Sequence, residues 1–250
     1  YQGFSAIETA ASMVFNFAVG SNYFLELAKI RAARLMWSRI LESYSGDNLE
    51  SAKMYIHVET STWNKTIYDP FVNLLRTTTE AMSAVLGGVD SLTIHPFDQS
   101  FKSPDEFSER LARNQQIILK EEAYFDKVVD PGGGSYYIEV LTDSIASESW
   151  KLFQEVEKRG GYTEAFLEGY IQNEIAVSAQ LRDENLAIRK EVLLGVNQFP
   201  DNNETLHPQA DPSLIRTPVV DPGGADTHPL IPYRGAEGFE TLRMATEKAS

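Results

Sequence analysis

The sequence predicts an α/β fold in which parallel strands are joined by helices. Along the chain, segments with the two-residue periodicity of a strand alternate with segments whose apolar residues recur every three or four positions, as in a helix. The segments between successive strands are too long for hairpins, so the strands must pair in parallel through helical crossovers. A barrel and an open doubly wound sheet both satisfy this pattern. The 250 residues, 42% of them hydrophobic, can bury one sizeable core.

The first quarter of the chain predicts two helices and a strand. Apolar residues at spacings of three and four predict a helix over residues 4–18, which Gly20 ends. A second helix is predicted from about Ser21 to Ser43. In residues 53–59 apolar and polar side chains alternate, which predicts a strand. One face of this strand carries Met54, Ile56 and Val58, and the other carries Tyr55, His57 and Glu59.

The middle of the chain predicts two more helices with a short strand between them. Asp69-Pro70 opens a helix that Gly87-Gly88 ends. Its predicted buried face comprises Val72, Leu75, Thr79, Met82 and Leu86. A strand follows at residues 91–94. Residues 103–106 form a capping-box pattern, through Ser103 and Glu106, for a helix whose predicted apolar face is Phe107, Leu111 and Ile118.

Two short extended segments and two helices are predicted further along the chain. The extended segments are Lys127–Val129 and Val192–Val196, and Asp130–Gly134 is a turn. The predicted helices cover residues 142–159 and 163–191. The second of them is expected to break near Asp183.

The chain divides into three parts. Residues 1–199 form the α/β domain, residues 200–235 are rich in Pro and Gly and predict a surface linker, and residues 236–250 begin a further helix. The chain opens at Tyr1 within a helical pattern and without an initiator Met. We therefore expect it to be a segment of a longer protein.

Composition excludes several classes of function. The absence of cysteine excludes disulfides, a thiolate nucleophile and a cysteine-ligated metal. The 22 Lys and Arg against 36 Asp and Glu give a formal net charge of -14, which repels a polyanion, so nucleic acid is not an expected partner. No apolar run is long enough to cross a membrane and no secretory signal is present, which predicts no membrane partner and a cytoplasmic location.

His57 is the strongest candidate for a functional residue. It shares a predicted strand face with Tyr55 and Glu59, and in a parallel barrel such a face points into the lumen, where ligands reach. The alternative is a hydrogen-bonded interior histidine, which is favoured by about two to one on general grounds. His207 and His228 fall in the linker and are expected to be solvated. No histidine has a zinc-type spacing, so no metal site is expected.

Two other polar features are open to a functional or a structural interpretation. Asn114 falls on the predicted buried side of its helix, where it would hold a loop in place or, less favourably, touch a ligand. Arg31, Arg34 and Arg39 could bind a phosphate or the carboxylates of a partner. Most arginines in such a pattern form a solvated helix face.

Four separated blocks resemble the methylmalonyl-CoA mutase family in their order and spacing. They are AVGSNYFLELAKIRAARLMW at 18–37, DPFVNLLRTTTEAMSAVLGGVDSL at 69–92, ARNQQIILKEE at 112–122 and DPGGGSYYIE at 130–139. The similarity covers roughly residues 14–198, and the C-terminal YRGAEGFETLRMATEKAS is similar to the segment that leads into the family's C-terminal domain. The resemblance implies the later part of a TIM-type (β/α)8 barrel. It also implies that the barrel begins before Tyr1 and that a cobalamin-type domain follows Ser250.

The resemblance also implies an activity and a cofactor. Members of the family interconvert methylmalonyl-CoA and succinyl-CoA through radicals generated by adenosylcobalamin. We expect the catalytic subunit to bind that cofactor and this segment to bind none. In catalytic subunits the strand that contacts the CoA ester reads Arg-Thr/Ala-His-Ser/Cys-Gln-Thr-Ser-Gly-Trp, and it aligns here with residues 55–63.

Several aligned positions depart from the catalytic pattern. Tyr55 replaces a cation and Glu59 replaces a neutral amide, while a second block places Thr93 where catalytic subunits have a histidine. The further changes are Val58 and Thr62. Because a CoA ester is anionic, losing a guanidinium and an imidazole and gaining a carboxylate disfavour its binding. The remnant of the substrate pocket comprises Tyr55, Ile56, His57, Glu59 and Thr93, and no catalytic residue is expected.

This pattern is similar to the small, non-catalytic subunit of bacterial heterodimeric members. The leading hypothesis is a supporting barrel that pairs with a catalytic large subunit, so that the chain belongs to an isomerase without catalysing the reaction itself. The alternative is an active adenosylcobalamin-dependent acyl-CoA mutase whose altered pocket uses His57 or His95. A third hypothesis, less favoured, is a module that senses acyl-CoA through His57.

Overall fold

Strands and helices alternate as predicted in the computed structural model, which describes residues 3, 5–45, 53–215 and 229–249. The strands are β1 (Val14–Val19), β2 (Tyr55–Thr60) and β3 (Ser91–Thr93). The helices are α1 (Ala6–Ala11), α2 (Tyr23–Ser45), α3 (Val72–Leu86), α4 (Glu106–Ile117), α5 (Tyr136–Lys158), α6 (Tyr162–Leu167), α7 (Tyr170–Ala187), α8 (Pro212–Ile215) and α9 (Glu237–Ala249). A π-helical turn at Ile118–Glu122 extends α4, and Phe125–Lys127 forms one 3-10 turn. The α/β class is therefore confirmed.

The chain folds into two compact units. The sheet unit comprises the described residues of 1–61, 77–95 and 112–152, and it contains the three strands. The C-terminal unit comprises the described residues of 62–76, 96–111 and 153–250. Three helices, α3, α4 and α5, contribute residues to both units.

The sheet unit is organised around a parallel sheet with the strand order β1-β2-β3. Every second side chain of the sheet points into one apolar core against α2 and α3. The buried members of this core are Val19, Ile30, Met54, Ile56, Val58 and Ala84, and Phe15, Phe17, Trp37 and Leu92 pack against them. The alternation predicted for residues 53–59 is confirmed, since Ile56 and Val58 are fully buried.

The first element differs from its prediction. Instead of one helix over residues 4–18, α1 ends at Ala11 and β1 begins at Val14. A capping box between Ser5 and Glu8 starts α1, and the Ser12 amide closes it. The segment Val14–Val19 pairs along its whole length with β2, so tertiary pairing overrides an apolar spacing that also fits a helix.

Helices α3 and α4 form where predicted, but they bury other side chains. Leu75 is 66% exposed and Thr79 is exposed, whereas the buried side of α3 comprises Asn73, Thr77, Glu80, Ala81, Ser83 and Ala84. Helix α4 is capped by Asp105 and Ser108, each of which bonds the other's backbone N–H at 3.0 Å, and not by the predicted Ser103 and Glu106. In α4 the buried residues are Ser108, Ala112 and Gln115, while Phe107 is half exposed.

Three further predictions about extended segments and breaks are wrong. Residues 127–129 form no strand because the chain makes a 3-10 turn that begins after Tyr124 in the left-handed conformation. In residues 192–196 the pairing is limited to one bridge between Leu194 and Gln198. The predicted helix over 163–191 breaks at Gly169, whose φ of 79° ends α6, and not near Asp183.

Arginines of α2 tie the sheet unit together. The Arg31 guanidinium contacts Asp130 (3.0 Å) and donates to Glu139 (2.9 Å), and Glu139 also accepts the Gly134 N–H. This network fixes the predicted turn at 130–134, and the arginine holds the pKa of Glu139 below its ordinary value. Arg31 is therefore an internal cross-link and not part of a solvated helix face.

Arg34 has a similar structural function at the start of the strands. Its guanidinium donates to the carbonyl oxygens of Met54 (2.5 Å) and Gly88 (2.6 Å) and to the Asp90 carboxylate (2.8 Å). Asp90 in turn accepts the N–H of Ile56. The helix, the first residues of β2 and the approach to β3 are thereby joined at one point.

The C-terminal unit is held by the segment that precedes α9. Arg234 is buried and donates to the carbonyl oxygens of Lys65 (3.1 Å) and Ile215 (2.7 Å), and it pairs with Glu240 at 2.8 Å. The Gly235 N–H donates to the Trp63 carbonyl oxygen, and a Cβ at Gly235 would lie 2.7 Å from the Trp63 ring. Only glycine allows this approach without displacing the indole.

Part of the predicted linker contributes to a core. Leu206, Ala210 and Ile215 pack with Ile67, Tyr68 and Phe101. The His207 ring packs against Phe101 at a tilt of 51°, with 5.2 Å between ring centroids. The residue is half-buried, so the prediction of a solvated side chain is wrong. His228 lies outside the described residues.

Substitution of Arg31 tests the cross-link of the sheet unit. We expect Arg31→Met to lower the free energy of unfolding by about 1–3 kcal/mol, because it removes charge-assisted hydrogen bonds to Asp130 and Glu139. Arg39→Met on the same helix is the matched control. The Arg39 side chain is exposed, so its loss should change stability by less than about 0.5 kcal/mol. Equal urea midpoints for the two variants would contradict the assignment.

Candidate functional site

The polar face of β2 lies on the side of the sheet opposite the apolar core. It carries Tyr55, His57 and Glu59, and the parallel register places Ser91 beside His57 and Thr93 beside Glu59. Four of the five predicted pocket residues therefore share one face. The fifth, Ile56, is fully buried on the other face, and its backbone N–H donates to Asp90. Its side chain does not line this face.

His57 is hydrogen-bonded through both ring nitrogens. Nδ1 lies 2.7 Å from the Ser91 hydroxyl, and Nε2 lies 3.3 Å from the Thr93 hydroxyl. The Glu59 carboxylate approaches the same Nε2 to 3.9 Å. With both nitrogens occupied by partners from β3, His57 matches the structural interpretation of a hydrogen-bonded interior histidine.

Glu59 brings a second histidine to this face. Its Oε2 lies 3.2 Å from Nε2 of His95, which follows β3. The backbone N–H of His95 donates to the hydroxyl of buried Thr60 at 2.9 Å. This hydrogen bond fixes the backbone position from which the His95 side chain extends. One carboxylate thus lies between two imidazoles. We call His57, Glu59, Ser91, Thr93 and His95 the polar-face cluster.

The charge of the polar-face cluster determines which ligands it favours. Glu59 is about half exposed and is the anionic side chain, while each imidazole carries a charge only when protonated. On the neighbouring strand β1 the same face shows Val14, Asn16 and Ala18. No Lys or Arg side chain lies at these strand positions. The face therefore offers hydrogen bonds but no permanent cation.

The cluster does not have the geometry of a hydrolytic triad or a metal site. A triad needs a carboxylate hydrogen-bonded to the histidine that activates the serine, and the 3.9 Å between Glu59 and His57 is too long for that bond. Among the described residues no group of three or more His, Asp or Glu side chains is arranged to hold a metal ion.

Sequence patterns did not predict Ser91 as a member of the cluster, and they gave His95 only as part of an alternative pocket. Ser91 gave no signal of its own, and its contact with His57 follows from the parallel register. His95 pairs with a residue 36 positions away, which no local pattern reveals.

The buried amide of α4 is Gln115 and not the predicted Asn114, since Gln115 Nε2 donates to the hydroxyls of Thr77 (3.0 Å) and Thr78 (2.6 Å).

The fold and the polar-face cluster define a protein of the α/β class whose parallel sheet presents one polar side. Sequence comparison then places it. The sequence model described as Methylmalonyl-CoA mutase matches residues 2–217. The chain belongs to the methylmalonyl-CoA mutase family.

Relatives with both kinds of subunit name resemble the chain. The methylmalonyl-CoA mutase small subunit of Porphyromonas gingivalis is 50% identical over 99% of this chain and 40% of its own length. The small subunit of Streptomyces virginiae is 38% identical over 97% of this chain and 37% of its own length. The large subunit of Porphyromonas gingivalis is 40% identical over 76% of this chain and 27% of its own length.

The chain spans about two fifths of the length of these small subunits. The family uses adenosylcobalamin, and the paired names indicate a two-subunit arrangement among its members. Within the part of the chain that the structure describes, no helix is long and apolar enough to cross a membrane.

Substitution of Thr60 tests how the polar-face cluster is built. In Thr60→Val the His95 N–H loses its acceptor inside the protein, so we expect a loss of about 1–3 kcal/mol in the free energy of unfolding. Thr62→Val makes the same chemical change at an exposed side chain and should cost less than about 0.5 kcal/mol. Thermal unfolding of both variants measures the difference. If Thr60→Val unfolds like Thr62→Val, the His95 bond contributes nothing to stability.

Proposed function

We propose that this chain is a non-catalytic, supporting subunit of a methylmalonyl-CoA mutase and pairs with a catalytic large subunit. The complex interconverts methylmalonyl-CoA and succinyl-CoA. In this proposal β1, β2 and β3 are consecutive strands of a TIM-type (β/α)8 barrel, because they are parallel, adjacent in chain order and connected through helices. The names of the similar small subunits support the assignment.

The observation that carries the proposal is the self-contained hydrogen bonding of the polar-face cluster. His57 uses both ring nitrogens on Ser91 and Thr93, and His95 lies against Glu59. A CoA ester could accept a hydrogen bond from these histidines only after their existing hydrogen bonds had been broken. At the position of a cation in catalytic members, Tyr55 offers a neutral, half-exposed phenol.

Electrostatics act in the same direction. A ligand anion about 4 Å from Glu59 would be repelled by about 1 kcal/mol in water and by about 4 kcal/mol near a partly desolvated protein surface. Each kilocalorie per mole of repulsion weakens the binding of an anionic ester several-fold. A surface that presents this carboxylate and no fixed cation on its strands supports a structural function better than the binding of CoA.

The described residues do not fit the cobalt of adenosylcobalamin as a ligand set. His57 and His95 are bonded within the cluster. His207 accepts the Gln209 N–H at Nδ1, and its ring packs at a tilt against Phe101. In the sequence, Asp226-Thr227-His228 begins like the family's cobalamin motif, Asp-x-His-x-x-Gly, but has Ile231 at the glycine position. We therefore assign the cofactor to the catalytic subunit and derive no step through it.

The second candidate function is an active acyl-CoA mutase with an altered pocket. One observation favours it. The Glu59 carboxylate lies next to two imidazoles, and these side chains could exchange a proton with a bound ester. The ester would then need contacts different from those of catalytic members, because Tyr55 and Thr93 replace their arginine and histidine.

Calorimetric titration separates the two functions. We expect the complete protein alone to show no heat of binding with methylmalonyl-CoA, and the complex with its catalytic partner to bind and turn it over. The variant Tyr55→Arg/Glu59→Gln/Thr93→His should gain affinity by roughly tenfold or more, because it restores charge-assisted donors and removes the anion. Binding and turnover by the unaltered protein alone would overturn the supporting function.

Activity of the complex provides an independent test. Glu59→Gln preserves a hydrogen-bond acceptor for His95 but removes the charge. If this chain only supports its partner, kcat/KM of the complex should change by less than about twofold. If the cluster transfers a proton, the loss should be about tenfold or more. Comparison of complex yield and thermal midpoint with the unaltered protein shows whether assembly is intact.

A further inference from the structure

Helix α7 packs against the rest of the C-terminal unit with one side. Leu186 is buried with Leu193 and Ala236, and the Arg182 guanidinium lies over the Trp63 ring, 3.3 Å from its centroid. These contacts define the packed side of the 18-residue helix. A helix whose opposite side meets only solvent is expected to be polar there.

The opposite side of α7 is partly apolar. Leu181 and Leu186 point about 140° apart around the helix, and the side of Leu181 carries a row of residues spaced alternately by three and four positions. We call this row the α7 stripe, and its members are Glu174, Val177, Leu181, Glu184 and Ile188. Its three aliphatic residues are exposed, Val177 by 59%, Leu181 by 57% and Ile188 by 71%.

The spacing of the α7 stripe is typical of a helix that packs against a second helix. A single exposed aliphatic side chain is ordinary in a folded protein. Alternating steps of three and four, by contrast, keep side chains in one line along a helix, as at the seam of a coiled coil. The stripe is about 21 Å long at 1.5 Å per residue. It therefore offers an unpartnered seam and not scattered surface residues.

The charge of the α7 stripe restricts what can cover it. Glu174 is exposed, and within the part of the chain that the structure describes its side chain has no hydrogen bond or ion pair. Glu184 accepts a hydrogen bond from Gln180 at 2.9 Å. The positions that flank the seam are uncharged, and they are Asn173, Ser178, Gln180 and Asn185. The stripe therefore combines aliphatic side chains with two carboxylates and no cation.

We infer that the α7 stripe is the docking surface for an amphipathic helix of the catalytic large subunit, one whose aliphatic side chains are accompanied by Lys or Arg. The inference rests on the proposed function, which supplies the partner. Aliphatic side chains of that helix cover Val177, Leu181 and Ile188. Its cations pair with Glu174 and Glu184, which fixes the register of the two helices.

A second copy of this chain fits the α7 stripe less well. Two copies placed seam to seam would enclose four carboxylates among aliphatic side chains without a cation, and a charge that is buried without a partner is costly. The formal net charge of -14 also opposes association of two copies. A basic amphipathic helix meets both requirements of the stripe, because it supplies apolar contact and positive charge.

Titration of the complete protein with its large subunit tests the docking surface. In Leu181→Glu an aliphatic contact becomes a third carboxylate at the centre of the stripe, so the Kd of the complex should rise by about tenfold or more. Leu242→Glu is the matched control, because Leu242 is a 70% exposed leucine of α9 in the same unit. It should leave the Kd within about twofold. The thermal midpoint of each variant alone shows whether it folds, and Val177→Ser is the second variant if Leu181→Glu does not.

Charge reversal tests the basic character of the partner helix. Glu174→Lys should weaken the complex about fivefold at low salt and less at high salt, because it replaces an ion pair by repulsion that salt screens. Glu157→Lys changes the net charge equally at another exposed glutamate of the C-terminal unit and should have a smaller effect. Amide hydrogen exchange locates the contact, since residues 174–188 should exchange more slowly in the complex than in the free protein.

The possible failures are distinguishable. If the unaltered protein binds the large subunit and Leu181→Glu binds it equally well, the docking surface lies elsewhere and the proposed function stands. If the unaltered protein alone forms dimers that Leu181→Glu dissociates, a second copy covers the stripe and the inference is wrong. If the unaltered protein does not bind the large subunit, the supporting function fails and the inference fails with it.

Discussion

The structure depends on the pairing of β2, the central strand of the parallel sheet. Its backbone is paired with β1 on one side and with β3 on the other, so it cannot shift register without breaking two ladders. A shift of one residue would expose Ile56 and Val58 and bury His57 and Glu59. The burial of two aliphatic side chains therefore determines where the polar ones point, and the contacts of His57 with β3 follow from that register.

The blocks that carry the family resemblance are explained largely by packing. Arg31 in the first block reaches Asp130 and Glu139 in the last, and Arg34 reaches Gly88 and Asp90 in the second. These bonds close the sheet unit and need no ligand. The changed positions, by contrast, lie on the polar face of the sheet at Tyr55, Glu59 and Thr93. Internal cross-links that remain intact while these polar-face positions differ agree with the supporting function proposed above.

Local patterns predicted the elements whose sequence fits only one periodicity or has clear end signals, and they failed where tertiary pairing decides. The alternation in residues 53–59 and the Gly87-Gly88 stop after α3 identify their elements without outside information. The segment Val14–Val19 fits both periods, and only its pairing with β2 selects the strand. The prediction of Asn114 as the buried amide, where the structure buries Gln115, failed for another reason. Adjacent residues of a helix point about 100° apart, so an error of one position in the apolar pattern selects the wrong side of the helix. The contact of Glu59 with His95 depends on the register of β3, which no single segment encodes.

The hydrogen bonds within the polar-face cluster determine how readily a ligand can bind there. At β2 a ligand must replace existing bonds, because His57 already contacts Ser91 and Thr93 and the Glu59 carboxylate already lies near two imidazoles. Its binding energy is reduced by the bonds that it breaks. The chemistry of the described residues therefore favours a structural function for the face that aligns with the substrate strand of catalytic relatives.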